Sequence, residues 1–169
     1  MDIIAAVTSD WGLGKSGKLL FSIPDDMRFF REKTANCAVI MGKNTLLSFP
    51  NGKPLKGRVN IVLSRDESFS PDGVIMARSI SDIPGILRGL EDRRVFVIGG
   101  GSIYRQLLPF CEKAYITKMD TLIPADTYFP DLDSEKSWRL ADVGEEREYS
   151  GVKYRFCVYE NLDTESVIK

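Results

Sequence analysis

Short apolar segments recur along the chain and alternate with amphipathic ones. Six are almost continuously apolar, as expected of strands that are covered on both faces of a sheet: IIAAV (3–7), AVIM (38–41), VNIVL (59–63), VIMA (74–77), VFVI (95–98) and AYIT (114–117). A seventh segment, VKYRFCVY (152–159), alternates apolar and polar positions and is predicted to be a further strand.

Four intervening segments have helical spacing or helix-start signals: 24–33, 44–49, 81–90 and 102–108. The third contains proline and glycine, which weaken its helical signal. The alternation predicts a single α/β domain over residues 1–169, with a short C-terminal tail at 161–169. We expect a mixed, mostly parallel central β-sheet of about eight strands flanked by about four helices, with right-handed crossovers and antiparallel strands towards the C-terminus.

The segment FSIPDDMRFF (21–30) places two adjacent carboxylates at the start of a predicted helix. Ser22 and Asp25 fit a capping-box pattern, and helix N-termini favour negative charge. At about 100° per residue, Asp25 falls on the side where water is expected, whereas Asp26 lies about 60–70° from the centre of the apolar face. That face is formed by Ile23, Met27, Phe30 and Thr34. We therefore predict that Asp25 caps the helix and that Asp26 faces an apolar cleft with a raised pKa, although both could simply be capping charges.

The absence of histidine is the most informative feature of the composition. It excludes Ser-His-Asp and Cys-His nucleophile systems, HExxH metal sites and histidine acid–base chemistry. The net charge of −1 gives no reason to expect a nucleic-acid or membrane partner. The three cysteines are widely separated and lack metal-ligand spacing, so no metal site is expected. Their odd number suits a reducing cytoplasm.

The glycine-rich segment GLGKSGK (12–18) partly matches two phosphate-binding patterns. A Rossmann turn would open directly into a helix, yet Lys18–Ile23 intervenes before the helix predicted at Pro24. A P-loop needs Ser or Thr where Leu19 stands. We interpret the segment as a flexible loop, such as a mobile lid beside a site.

A second glycine motif, VFVIGGGSIYRQLL (95–108), runs from a buried strand through Gly99–Gly101 into a helix. Three glycines would let a ligand approach the backbone, and the helix start offers N–H groups to an anion; a tight turn without a ligand is the alternative.

Two other strand ends carry side chains that suit phosphate oxygens. Lys43 and Thr45 follow one strand, and Ser64 and Arg65 follow the next. Since α/β sheets bind ligands at the carboxyl ends of their strands, the three turns together predict a site for a nucleotide with several phosphates. Basic residues where a ribose-binding acid could stand favour NADP over NAD.

These motifs, taken in order, resemble the bacterial type of the dihydrofolate reductase family. The likeness covers nearly the whole chain and rests on IIAAVT, GLGK, FSIPDDMRFF, VIMGKNT, LKGRVNIVLSR, VFVIGGGSIYRQLLP, AYIT and ADTYFPD at the family's spacing. The resemblance implies hydride transfer from NADPH to C6 of 7,8-dihydrofolate with protonation at N5, which yields tetrahydrofolate for one-carbon metabolism. It also implies that antifolate inhibitors would bind.

The resemblance assigns the catalytic role to Asp26 and the clamping of the folate glutamate carboxylate to Arg58. The residues that it places around the substrate are Ile4, Ala5, Ala6, Asp26, Met27, Phe30, Leu55, Arg58, Ile98, Tyr104 and Thr117. Those that it places along NADPH are Ala6, Leu13, Gly14, Gly42, Lys43, Asn44, Thr45, Leu63, Ser64, Arg65, Arg78, Ile98, Gly99, Gly100, Gly101, Ser102, Ile103 and Tyr104. For any single apolar residue of these sets, core packing is the simpler explanation.

This chain departs from the family pattern at four positions. Leu20 and Phe21 stand where the family usually has Pro-Trp, so an indole donor is missing beside the lid. Ala125 replaces a glycine that several bacterial members carry, and Lys43 replaces an arginine, which turns a bidentate clamp into a point charge.

Two other classes of function are compatible with parts of the sequence. The related reductase of riboflavin biosynthesis uses NADPH but generally lacks an acid at this helix start, and an inactive nucleotide- or pteridine-binding module would not need Asp26, Arg58 and the triple glycine together. We expect a cytoplasmic monomer whose partners are dihydrofolate and NADPH.

Overall fold

The computed structural model describes residues 1–165, and the part of the predicted tail at 166–169 lies outside the described residues. Four α-helices occur where the sequence predicts them, with ends that differ by one or two residues. They are α1 (Pro24–Thr34), α2 (Lys43–Ser48), α3 (Ile83–Arg88) and α4 (Gly101–Leu107). The predicted third helix is shorter than expected, because its first turn is a 3-10 turn over Ile80–Asp82.

All seven predicted strands are present. They form a central sheet with two further strands of the C-terminal part, in the order β10-β12-β8-β1-β7-β4-β5-β6, with β11 paired to β12. The strands are β1 (Asp2–Val7), β4 (Ala38–Gly42), β5 (Val59–Leu63), β6 (Val74–Ala77), β7 (Val95–Gly99), β8 (Lys113–Met119), β10 (Trp138–Val143), β11 (Arg147–Tyr149) and β12 (Val152–Asn161).

The sheet is mixed and mostly parallel, which confirms the predicted architecture. Strands β8, β1, β7, β4, β5 and β6 run parallel to their neighbours, whereas β12 joins β8, β10 and β11 in antiparallel pairs. The prediction that 74–77 is a covered strand is wrong, because β6 lies at the edge of the sheet and Ile75 is exposed. Asn161, the first residue of the predicted tail, is the last residue of β12.

Alternate residues of the parallel strands enter two apolar clusters on opposite faces of the sheet. One cluster includes Ile3, Ala5, Val7, Ile40, Val97 and Ile116. The other includes Ile4, Val39, Met41, Val62, Phe96 and Ile98. Burial on both faces explains why these strands read as continuous apolar runs.

The predicted flexible loop at 12–18 is instead a β-hairpin. Strands β2 (Gly12–Lys15) and β3 (Lys18–Leu19) pair antiparallel, and β2 also pairs with β9 (Thr127–Tyr128) in a second, three-stranded sheet. The glycine content predicts a loop because it weakens strands, but these backbone pairings hold the segment in extended form.

The predicted capping role of Asp25 is wrong. Ile23 occupies the N-cap of α1, and within residues 1–165 no side-chain cap hydrogen bond is formed there. The Asp25 side chain is one-fifth exposed and accepts hydrogen bonds from Arg147 Nη1 at 2.8 Å and Tyr154 OH at 3.1 Å. Asp25 therefore joins the helix to the β11–β12 hairpin.

No helix within the described part of the chain is long and apolar enough to cross a membrane.

Candidate active site

Asp26 lies in the first turn of α1, half-buried against strand β8. The Thr117 hydroxyl, which is itself buried, donates a hydrogen bond to Asp26 Oδ1 at 2.5 Å. Burial raises the pKa of Asp26, the hydrogen bond from Thr117 opposes that rise, and the negative charge of Asp25 adds to it. The raised pKa agrees with the expectation from helix geometry. A carboxyl group with these properties could hold N–H donors of a ligand and influence a nearby proton.

Strand β1 and helix α4 lie close to Asp26. Ala6 pairs in register with Thr117, so the end of β1 lies next to the threonine that contacts Asp26. Tyr104 is buried, and its hydroxyl donates to the carbonyl of Ile4 at 2.8 Å. Burial raises the pKa of Tyr104, and the charge of Asp26 adds to the rise, so the phenol stays protonated.

The apolar residues predicted around the substrate differ in how far they are buried. Ile4, Ala5 and Ile98 are buried in the sheet, whereas Phe30 and Leu55 are partly buried against the second core cluster. Met27 is 40% exposed, although the helical pattern places it at the centre of the apolar face of α1. The exposed thioether shows that this face of α1 is not fully covered by the core.

Arg58 lies beyond the C-terminal end of α1, and its guanidinium is held in place by three neighbours. Nε and Nη2 donate to Thr34 Oγ1 at 3.2 and 3.1 Å, Nη2 donates to the carbonyl of Arg31 at 3.1 Å, and Nη1 donates to the carbonyl of Lys56 at 2.7 Å. Because a neutral hydroxyl and two carbonyls do not cancel its charge, this fixed guanidinium can still attract a carboxylate.

The predicted phosphate-competent turns lie side by side along one edge of the sheet. The strand order β7-β4-β5-β6 brings together the turns that follow these four strands. A Cβ atom built on Gly100 would lie 3.5 Å from Thr45 Oγ1, so the turn after β7 faces the start of α2. Ser64 N–H donates to the carbonyl of Ala77 at 2.9 Å, which joins the turns after β5 and β6.

Two glycines of the triple-glycine turn are required by the structure. Gly99 has φ +121°, in the region that side chains rarely adopt, and a Cβ there would lie 3.3 Å from the Tyr104 ring. A Cβ on Gly101 would lie 2.8 Å from Thr127 Cγ2, so the start of α4 packs directly against β9. The same Cβ would lie 3.8 Å from Leu13 Cδ1, which places the hairpin of β2 and β3, the predicted lid and hereafter the lid hairpin, beside this turn.

The remaining residues predicted to bind the cofactor are distributed along the same edge. Ile103 lies close to Gly42, since a Cβ added there would be 3.1 Å from Ile103 Cγ1. Leu63 is buried at the end of β5, whereas the side chains of Asn44, Arg65 and Ser102 are exposed. The Ser102 hydroxyl accepts a hydrogen bond from Gln106 Nε2 at 2.9 Å.

Asp66 is a residue of this edge that sequence reasoning missed. It pairs with Lys43, with Nζ and Oδ2 separated by 2.7 Å, and this ion pair holds the pKa of Asp66 at about 2. Lys43 Nζ also lies 4.8 Å from the centre of the Phe69 ring. Lys43, which is predicted to contact phosphate, is therefore already paired with a carboxylate. The sequence does not reveal this pair, because nothing in the local pattern around Asp66 indicates its partner.

Arg78 is also more constrained than predicted. Its Nη1 donates to the carbonyls of Ser64, Asp66 and Phe69 at 3.3, 2.6 and 3.1 Å. Arg78 thus shapes the loop after β5 and keeps its positive charge at the sheet edge.

The lid hairpin is tied to the loop that precedes β9. Ser16 N–H donates to Asp126 Oδ2 at 2.8 Å, and Asp126 N–H donates to the carbonyl of Gly14 at 3.0 Å. These bonds hold Leu13 and Gly14 next to the triple-glycine turn.

The residues of the sheet edge fit a nicotinamide dinucleotide. Gly100 lies beside Thr45, where an added Cβ would narrow the gap. Lysine, arginine, serine and threonine supply donors for phosphate oxygens along the edge.

Comparison with known proteins identifies relatives of this chain. A family model described as dihydrofolate reductase matches residues 1–161. The dihydrofolate reductase of Bacillus subtilis is 32% identical over 166 residues, which cover 97% of this chain and 96% of the relative. That of Haemophilus influenzae is 36% identical over 138 residues, which cover 82% of each.

Plant proteins are somewhat more similar but much longer. The bifunctional dihydrofolate reductase-thymidylate synthase of Glycine max is 38% identical over 148 residues, which cover 78% of this chain and 28% of the relative. This chain thus spans less than a third of the bifunctional relatives that it matches.

Proposed function

The chain belongs to the dihydrofolate reductase family, and on that premise we propose that it reduces 7,8-dihydrofolate to 5,6,7,8-tetrahydrofolate with Asp26 as its catalytic residue. The observation that carries this proposal is the half-buried Asp26 carboxyl, which accepts a hydrogen bond from Thr117 beside the end of β1 and has a raised pKa. In an enzyme without histidine, a carboxyl of raised pKa is well suited to influence a proton at neutral pH.

In this mechanism Asp26 orients the pteridine and favours its protonation. Its carboxylate accepts hydrogen bonds from the amino and ring N–H groups of the pteridine and raises the proton affinity of N5, which takes its proton from water. Thr117 keeps Oδ1 in position. A bound nicotinamide supplies the hydride that reaches C6.

The apolar walls and Arg58 position the rest of the substrate. Ile4, Ala5, Ala6, Ile98 and Tyr104 would border the pteridine. Met27, Phe30 and Leu55 would contact the benzoyl ring, and Arg58 would pair with the glutamate carboxylate. The support for this assignment is the placement of the two groups along α1, with the Asp26 carboxyl in its first turn and the rigid Arg58 guanidinium at its last residue, Thr34.

The cofactor is proposed to be NADPH. It would be held by the turns after β7, β4, β5 and β6, with Leu13 and Gly14 of the lid hairpin near the nicotinamide. Arg65 and Arg78 supply positive charge where a 2′-phosphate adds negative charge, which favours NADPH over NADH.

NADPH is expected to be oxidised when dihydrofolate is added, and NADH much less efficiently. A charge-assisted hydrogen bond is worth about 1.5–3 kcal/mol, so kcat/KM should differ by roughly 10- to 150-fold. Steady-state absorbance assays with both cofactors measure this ratio. No oxidation of either cofactor with dihydrofolate would refute the proposed reaction, and equal efficiency would refute the choice of NADPH.

Replacing Asp66 with asparagine is expected to tighten NADPH binding, because it releases Lys43 from its partner. The pair is partly exposed, so the dissociation constant should fall only roughly two- to fivefold, and less at high salt. Fluorescence titration measures the constant, with Asp72→Asn as the control in another exposed carboxylate. Weaker binding would mean that Asp66 is needed to hold Lys43 in place.

We also propose that the chain forms one domain and acts as a cytoplasmic monomer. All three cysteines are buried, and burial raises the pKa of Cys111 to about 12, which suits unreactive thiols in a reducing compartment.

A further inference from the structure

A cluster of charged and aromatic side chains joins the start of α1 to the β11–β12 hairpin. Asp25 lies at its centre and accepts hydrogen bonds from Arg147, Tyr154 and Arg28. Burial alone would raise the pKa of Asp25, but the Tyr154 hydroxyl and the charges of Arg147 and Arg28 lower it. Asp25 is therefore ionised, and its charge is largely balanced by two guanidinium groups.

The same hairpin strand also contacts the segment that precedes α1. In β11, Arg147 and Tyr149 are two residues apart and project to the same side. Tyr149 meets Phe21 edge-on, with ring centroids 6.2 Å apart, while Arg147 reaches Asp25. Strand β11 thus holds the chain on both sides of Pro24, where the helix with Asp26 begins.

Asp26 directly follows Asp25, so the two carboxylates affect each other. The groups that face Asp26 are Thr117 from β8, Tyr104 from α4, Tyr154 from β12 and Asp25 from its own helix. Within residues 1–165, Asp25 is the ionised member of this set. Whatever balances the charge of Asp25 also changes the electrostatic potential at Asp26.

We propose that Arg147 is a positioning residue of the active site, which acts by balancing the charge of Asp25 and thereby limiting the negative potential at Asp26. The proposal rests on the proposed function, since Asp26 is the catalytic residue there. Arg147 does not touch the substrate in this account. Its effect passes through Asp25, and the contact between Tyr149 and Phe21 keeps the two elements together.

The proposal predicts opposite effects for the two partners of one ion pair. Arg147→Leu leaves Asp25 less balanced, so the pKa of Asp26 and the proton affinity of the bound pteridine should both rise. The hydride-transfer rate decreases as pH rises. The pH at which this decrease occurs should be higher in Arg147→Leu than in wild type. Asp25→Asn removes the negative charge, so the fall should occur at a lower pH. At a fixed pH on the falling limb, the rates should change by roughly two- to fivefold in opposite directions.

Two measurements test this prediction, and only one of them needs turnover. Single-turnover rates across pH locate the falling limb, and 13C NMR of aspartate-labelled protein without ligand gives the pKa of Asp26 directly. The Asp26 signal is identified by its loss in Asp26→Asn. If the NMR shifts appear but dihydrofolate is not reduced, the proposed function fails while the coupling stands.

Matched variants separate electrostatics from structure. Arg147→Lys keeps the positive charge, so the pH at which the hydride-transfer rate decreases should stay near its wild-type value. Arg139→Leu breaks another exposed ion pair, between Arg139 on β10 and Glu160 on β12 at 2.9 Å. It should change neither the pKa of Asp26 nor the pH dependence of the hydride-transfer rate. The double variant Asp25→Asn with Arg147→Leu removes both charges and should lie between the single variants. Shifts in the same direction for both single variants, or no shift in either, would overturn the proposal.

Discussion

Replacing Asp26 with asparagine is expected to lower dihydrofolate turnover at neutral pH by roughly 10²–10⁴-fold, the range for loss of a positioned acid–base group. Asparagine keeps the shape of the side chain and can still accept the hydrogen bond from Thr117, but it carries no negative charge to favour protonation at N5. Turnover should recover partly in acid, because the substrate then takes its proton from solution. Steady-state rates across pH measure both effects.

The control for this variant is Glu32→Gln, the same chemical change at an exposed position of α1. It should retain nearly full turnover at every pH. A small loss in Asp26→Asn, or a loss that acid does not reduce, would contradict the role of Asp26.

Stability measurements show whether the loss is chemical or structural. The pKa of Asp26 is raised in the folded protein, so ionising it opposes folding, and this penalty grows as pH rises from the unfolded value near 3.8 towards the folded pKa. Asn at this position avoids the penalty. The free energy of unfolding of Asp26→Asn should therefore equal or exceed that of wild type at neutral pH, with the difference shrinking in acid. A variant that is less stable at neutral pH would point to a structural cause.

Replacing Arg58 with leucine is expected to raise the KM for dihydrofolate by roughly 10- to 150-fold, which corresponds to about 1.5–3 kcal/mol for a hydrogen-bonded charge pair. The guanidinium is distant from the reacting atoms, so it contributes equally to substrate and transition-state binding, and kcat should change little. Arg58→Lys keeps the charge but loses the fork geometry and should give an intermediate KM.

A shortened substrate separates the role of Arg58 in binding from a role in folding. A dihydropteridine without the benzoylglutamate tail has no carboxylate for Arg58, so wild type and Arg58→Leu should use it with the same kcat/KM. An equal loss with both substrates would mean that Arg58 acts through the structure, by its bonds to Thr34 and to the carbonyls of Arg31 and Lys56.

The central sheet could be predicted because its strands are buried on both faces and carry continuous apolar runs. Strands β10 and β11 were not predicted, since most of their residues are exposed and have no such run. The lid hairpin was missed because its glycines indicate a loop, whereas pairing with β9 decides its conformation. Local sequence therefore identifies strands that are stabilised by burial but not those that are stabilised by distant pairing.

The candidate site shows the same division. Helical geometry predicted the environment of Asp26, because its neighbours on α1 define the apolar face. It gave the wrong role to Asp25, because the partner Arg147 lies 122 residues further along the chain. The pair of Lys43 and Asp66 was also missed, since an ion pair between the start of a helix and a distant loop leaves no periodic pattern in the sequence.

The most direct test of the account follows the hydride itself. NADPH in which both hydrogens at C4 of the nicotinamide are deuterium is incubated with the wild-type protein and dihydrofolate, and the product is analysed by NMR and mass spectrometry. The account predicts tetrahydrofolate with one deuterium at C6 and stoichiometric formation of NADP⁺. Deuterium at another position, or NADPH that stays unoxidised in the presence of dihydrofolate, would contradict it.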